Sequence, residues 1–237
     1  MNEYQNRYSS YETEMEVKQG LNAYISTVFA WMFIGLVVTA AIAYGISITP
    51  AVVYMIAGNP VLFFGIIIGE IVLVVYLSAR ITKLRFATAF GLFILYAVLN
   101  GVIFSVIFLA YTQTTVWNTF LITAATFGVM ALYGRFTGTD LTRFRSILFM
   151  GLIGVIVLSL VNLFIGSSQL GWVISIIGLF VFLGLTAYDT QKLKGYYYGT
   201  DGQPALRQNL GVMGALALYL DFINLFLLLL RLFGRRR

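Results

Sequence analysis

Three carboxylates, Glu70, Asp189 and Asp221, fall inside or at the edge of long apolar stretches. An Asp at the centre of a membrane helix costs about 2.5–3.5 kcal/mol on insertion scales, so such a residue faces the protein interior and takes a partner. Asp221 lies deep in a Leu-rich stretch, and Gly214, Ala217, Leu218, Asn224, Leu225 and Leu228 share its helical face. That stripe of small and polar residues points toward other helices rather than lipid. Asp189 closes the preceding stretch, just after Tyr188, and Glu70 sits deep in an earlier one. Each has a plainer reading: an interhelical hydrogen bond for Asp221, an interfacial residue for Asp189 and a buried structural acid for Glu70. The chain has no His and no Cys, which removes thiolate chemistry, disulfides and the usual sensor near neutral pH. Proton chemistry therefore falls to carboxylates, Lys or Tyr. Two acids on consecutive helices within hydrogen-bond reach do not both ionise cheaply, and they titrate as a unit. Protonated, such a pair ties its helices together; doubly ionised, it pushes them apart. Asp189 reads as near one membrane face and Asp221 as central. For the two to meet, the sixth helix must run past Tyr188 or the seventh must start later than Leu210.

The elements that position these acids follow from composition. With 60% hydrophobic and 10% charged residues among 237, the chain departs far from a soluble domain. Seven apolar stretches, approximately Leu21–Ile48, Val61–Ala79, Phe86–Ala110, Val116–Gly134, Ser146–Gly166, Leu170–Tyr188 and Leu210–Leu230, are each long enough to cross a bilayer as a helix. The fold class is an all-α integral membrane protein with seven transmembrane helices. Pro50, Pro60 and Pro204 all lie between stretches, where a missing backbone donor costs nothing. Arg80, Lys83 and Arg85, then Arg135, Arg143 and Arg145, then Lys192, Lys194 and Arg207 follow stretches two, four and six, whereas the loops after one, three and five hold no basic residue. The positive-inside rule then places the N-terminus in the cytoplasm and accounts for the net charge of +6 without nucleic acid. Seven crossings leave Arg231, Arg235, Arg236 and Arg237 on the outer side, against that rule, unless the last span is re-entrant. Residues 1–20 form a polar cytoplasmic tail that could start the first helix early, and 21–237 form one membrane domain. Arg80 closes the second span and reads as a membrane anchor or as a counter-charge for a carboxylate. Asn100, Asn162 and Tyr219 are available hydrogen-bond partners, and Gly151 and Gly154 permit close helix approach.

The segment Gly184-Leu-Thr-Ala-Tyr-Asp-Thr-Gln191, followed by Leu216-Ala-Leu-Tyr-Leu-Asp-Phe-Ile-Asn-Leu-Phe226 and Leu230-Arg-Leu-Phe-Gly234, resembles the Bax inhibitor-1 family in a bacterial form. The resemblance implies a bundle with the seventh helix at its centre, in a bacterial inner membrane. It also implies a calcium leak gated by pH through paired aspartates on the last two helices. Those aspartates correspond to Asp189 and Asp221, the basic residue that locks them to Arg80, and an acid of the ion path to Glu70. Calcium would be the permeant ion, touching Asp189, Asp221 and Glu70 weakly, with no tightly bound cofactor. A storage site needs six to eight oxygens, whereas conduction needs contacts weak enough to release the ion.

Three other readings stand beside this one. An intramembrane aspartyl protease also carries acids on its sixth and seventh helices, and Tyr188-Asp189 resembles its first half. The second acid of that class follows a Gly-x-Gly run, however, whereas Asp221 follows Leu218-Tyr-Leu220, so a non-enzymatic role is expected. Some bacterial relatives are linked to a membrane AAA protease, which makes a regulatory partner role the second alternative, with Glu12–Glu16 as a handle. A proton-coupled transporter would use the same acids.

Overall fold

The computed structural model describes the backbone of residues 2–234 and the side chains of 14–234. The elements in order are α1 (Asn2–Ser47), α2 (Pro50–Gly58), α3 (Pro60–Arg80), α4 (Phe86–Ser105), α5 (Ile107–Ala110), α6 (Gln113–Phe136), a 3₁₀ turn (Leu141–Phe144), α7 (Arg145–Ile165), α8 (Ser168–Tyr198) and α9 (Pro204–Phe233). No strand occurs among the described residues. Seven helical segments are long and apolar enough to cross a membrane: the Glu14–Ser47 part of α1, then α3, α4 with α5, α6, α7 with its preceding turn, α8 and α9.

Local sequence sets the boundaries. Pro50, Pro60 and Pro204 open α2, α3 and α9, where proline's fixed φ suits the first turn and its absent N–H would be unpaired anyway. Asn59, Thr112 and Ser167 cap α3, α6 and α8 by accepting from the backbone N–H groups of Leu62, Thr115 and Leu170. Gly166, at φ +67°, ends α7 in the left-handed conformation that glycine adopts without penalty.

The polar N-terminal segment is continuous with the first span as one 46-residue helix, the early start that its sequence allows. The side chains of Arg7, Glu3 and Glu12 lie outside the described residues, as do Arg235, Arg236 and Arg237. A short helix, α2, occupies the connection between the first two spans. The sixth helix continues to Tyr198, and the seventh starts at Pro204. Nothing in Thr190–Tyr198 breaks a helix except Gly195, and Leu193 on this extension is buried to 1% exposure. A run that looked like a polar connection is thus nearly three more helical turns with an apolar face.

Exposure reveals the solvent. Val61, Ile68, Val72, Val75, Leu163 and Phe164 on α3 and α7 are exposed, the pattern of helices that face acyl chains. By contrast, 67% of the most apolar window of α9 is buried, the largest share of any span. α9 packs against α1, α4, α6 and α8. Around it, Phe93 and Tyr96 set their ring edges against Tyr219 at 5.7 Å each, and Phe120 and Phe127 lie 5.3 and 5.5 Å from Phe222. Gly151 meets Val181 closely, whereas Gly154 faces open space. The C-terminal end of α9 reaches Tyr111 through Gly234, and Arg231 reaches Gly171. It therefore ends at the face shared by the α5–α6 and α7–α8 connections, so the last span crosses rather than re-enters.

Candidate functional site

α8 and α9 are antiparallel neighbours, and their register follows from two glycine contacts. Gly214 lies against Leu193, and Gly178 against Leu228. This sets Asp189 level with residues 217 and 218, and Asp221 level with 185 and 186. The two aspartates are thus offset by about one turn, ~5.4 Å along the axis. Every Cα–Cβ bond tilts toward its own helix N-terminus. In this antiparallel pair, that tilt leans both side chains into the gap between them. The Asp189 charge accordingly acts on Asp221, as does the ammonium of Lys192. The extension of α8 past Tyr188 is what makes the encounter possible, because it places Asp189 well inside the helix.

The surroundings of the two acids differ. Asp221 is 4% exposed, and its Oδ2 is buried with no hydrogen-bond partner. Asp189 is partly buried and has one ion pair, Lys192 Nζ at 3.8 Å from Oδ1. Lys192 stands three residues further along α8, and its ammonium lies 5.8 and 5.4 Å from the ring centroids of Tyr188 and Tyr196. Cation and rings together roof the pair on the side where α8 emerges.

Arg80, expected as the counter-charge, ends α3 with an exposed side chain, and none of the ion pairs among the described residues includes it. Lys192 lies within ion-pair distance of Asp189, and its i, i+3 spacing was a readable signal. The end of α3 is instead tied to α9 by Asn209, whose Nδ2 donates to the carbonyls of Ile81 at 3.0 Å and Leu84 at 2.6 Å.

Glu70 lies apart from the aspartates. It sits on α3, near enough for its charge to reach the Tyr96 and Tyr219 phenols, and its Oε1 is buried without a partner. Tyr219 and Asp221 are two residues apart on α9, or about 200° around the helix. Glu70 and the aspartate pair therefore occupy opposite faces of the same helix. No three potential metal-ligating side chains converge among the described residues. The Tyr219 hydroxyl lies 2.6 Å from Thr39 Oγ1. Asn162 accepts from the Ser167 backbone N–H, and Asn100 is buried beside Tyr96.

Gln191, two residues after Asp189, acts on the backbone of the α6–α7 connection. Its Nε2 donates to the Thr139 carbonyl at 2.7 Å, and its Oε1 accepts from the Leu141 N–H at 2.8 Å. The Tyr188-Asp-Thr-Gln191 segment thus carries a charge toward α9 and a bidentate clamp toward α6 and α7. Gly134 completes this junction, letting α6 lie directly on the Ala187 carbonyl.

The family described as "Inhibitor of apoptosis-promoting Bax1" matches residues 21–237. The chain is 44% identical to the inner membrane protein YbhL of Escherichia coli K12 over 233 residues, 98% of this chain and 99% of the relative. A Borreliella burgdorferi protein is 44% identical over 216 residues, covering 91% and 93%. A Streptococcus pyogenes membrane protein is 40% identical over 218 residues, covering 91% and 94%. A match along nearly the whole length, joined to seven membrane-crossing helices, makes this chain a member of the Bax inhibitor-1 family.

Proposed function

We propose that this protein is a pH-sensitive calcium leak channel, gated by proton exchange between Asp189 and Asp221. The observation that carries this reading is the unpartnered, buried Oδ2 of Asp221 beside the Asp189 carboxylate. A buried carboxylate oxygen without a donor is costly, and a proton held between the two acids supplies one. Loss of that proton leaves two like charges in a low-dielectric interface. Like charges that close in a poorly screened interface repel, which favours a change in how α8 and α9 meet. In this reading α9 is the centre of the bundle, and Glu70 contacts the ion at a second position along the path. The resident membrane is a bacterial inner membrane, as in the name of YbhL, with the N-terminus cytoplasmic. Calcium is the cargo, held by few oxygens at a time, as conduction requires.

The test is calcium flux into liposomes carrying the purified protein, measured from about pH 6 to 8. The wild type conducts in a pH-dependent way, and Asp189→Asn and Asp221→Asn flatten that dependence. Flux equal to that of empty liposomes at every pH overturns the proposal and leaves the regulatory partner role.

A further inference from the structure

Three cations on three different helices converge on one cleft at the end of the bundle where α8 emerges. The cleft measures about 400 Å³ and lies between α1, α6 and α8. Lys18, Arg135 and Lys194 line it, together with Asn22, Phe136 and Tyr198. The other cations on this side with described ion pairs already have their anions: Lys192 holds Asp189, and Arg207 holds Asp201. Among the described residues, no ion pair involves Lys18, Arg135 or Lys194. Glu14 also lines the cleft, and one carboxylate against three cations leaves it net positive.

The cleft is also organised. Arg135 Nη2 donates to Asn22 Oδ1 at 2.9 Å, which fixes the guanidinium across the gap between α6 and α1. The same guanidinium lies 5.3 Å from the Phe136 ring centroid. That arrangement leaves its remaining N–H donors for an acceptor that approaches from the cleft. Phe136 and Tyr198 are 73% and 56% exposed, and Val129 and Leu132 further down α6 are exposed too. The cleft therefore opens where an interfacial aromatic belt meets a lipid-facing apolar surface.

We propose that this cleft binds the headgroup of an anionic phospholipid, with the phosphate among Lys18, Arg135 and Lys194 and the acyl chains along the exposed face of α6. Charge complementarity calls for an anion, and the adjoining apolar wall distinguishes a lipid from a soluble one. The inference stands independently of the calcium reading, because its readout is lipid retention rather than flux.

The experiment is native mass spectrometry of the full chain released from neutral detergent after addition of phosphatidylglycerol or phosphatidylcholine. The wild type retains phosphatidylglycerol and not phosphatidylcholine. The double variant Arg135→Gln, Lys194→Gln weakens retention by about tenfold or more, given the loss of two cations near a headgroup. Arg143→Gln, an exposed cation on the same side but outside the cleft, leaves retention unchanged, which separates the site from general surface charge. Equal retention of both lipids, or loss in Arg143→Gln equal to that in the double variant, overturns the proposal. Thermal stabilisation of the wild type by inorganic phosphate as large as that by phosphatidylglycerol also overturns it, in favour of a soluble anion.

Discussion

Tyr219 on α9 and Thr39 on α1 meet through their hydroxyls at 2.6 Å, and Thr39 Oγ1 passes the bond on to the Ala97 carbonyl of α4 at 2.8 Å. Three helices are thus joined by two bonds on the face of α9 opposite Asp221. Tyr219→Phe removes one bond while keeping the ring between Phe93 and Tyr96. A hydrogen bond of this kind contributes about 0.5–1.5 kcal/mol. Thermal unfolding in detergent should fall accordingly, and Tyr219→Phe combined with Thr39→Val should cost less than the two single effects added.

Gly134→Ala places a methyl group against the Ala187 carbonyl, a backbone atom that does not swing aside. Overpacking of this kind costs about 1–3 kcal/mol. Because Ala187 precedes Tyr188 and Asp189, the added methyl should also disturb the pair. The expected result is lower thermal stability together with an altered pH dependence of calcium flux. Gly154→Ala, where the space is open, should change neither.

Lys192 and Arg80 are competing counter-charges for the aspartates, and the structure places only Lys192 within 4 Å of one, at 3.8 Å from Asp189. In the liposome assay, Lys192→Gln should move the midpoint of the pH response, whereas Arg80→Gln should leave it in place. The reverse result would assign the counter-charge to Arg80.

The α6–α7 connection rests on Gln191 and Asp140. Gln191→Leu removes both clamp bonds and should speed hydrogen exchange at the Leu141 amide by roughly tenfold or more, the equivalent of one to two hydrogen bonds. Asp140 accepts from the Thr142 N–H and hydroxyl, and these two donors hold its carboxyl below the usual Asp range. A lowered carboxyl contributes stability that is complete above the ordinary Asp range and is lost as pH falls through the folded value. Protection of the Leu141–Phe144 turn should therefore decline as pH falls below the ordinary Asp range, and in Asp140→Asn it should no longer follow pH there.

Hydropathy along the chain is enough to specify the solvent and the architecture. Lipid accepts only elements that satisfy their own backbone, so seven long apolar stretches dictate seven helices, and their observed limits fall close to the hydropathy limits for α3 and for α4 with α5. The acids within the spans were equally legible, because an ionisable group in an apolar run is expensive enough to need a reason. Tertiary structure decided what each acid meets. Hydropathy is blind to a helix that continues beyond the bilayer, so it ended the sixth helix at Tyr188 and left the depths of Asp189 and Asp221 mismatched. The real extension to Tyr198 is held by Leu193 packing under Gly214, a contact between residues far apart in the chain. The Lys192–Asp189 ion pair, the bonds of Asn209 and Gln191, and the basic cleft all depend on the rotation and register of neighbouring helices. Those are fixed by which side chains fit together across an interface, and periodicity along a single helix carries no record of its partner.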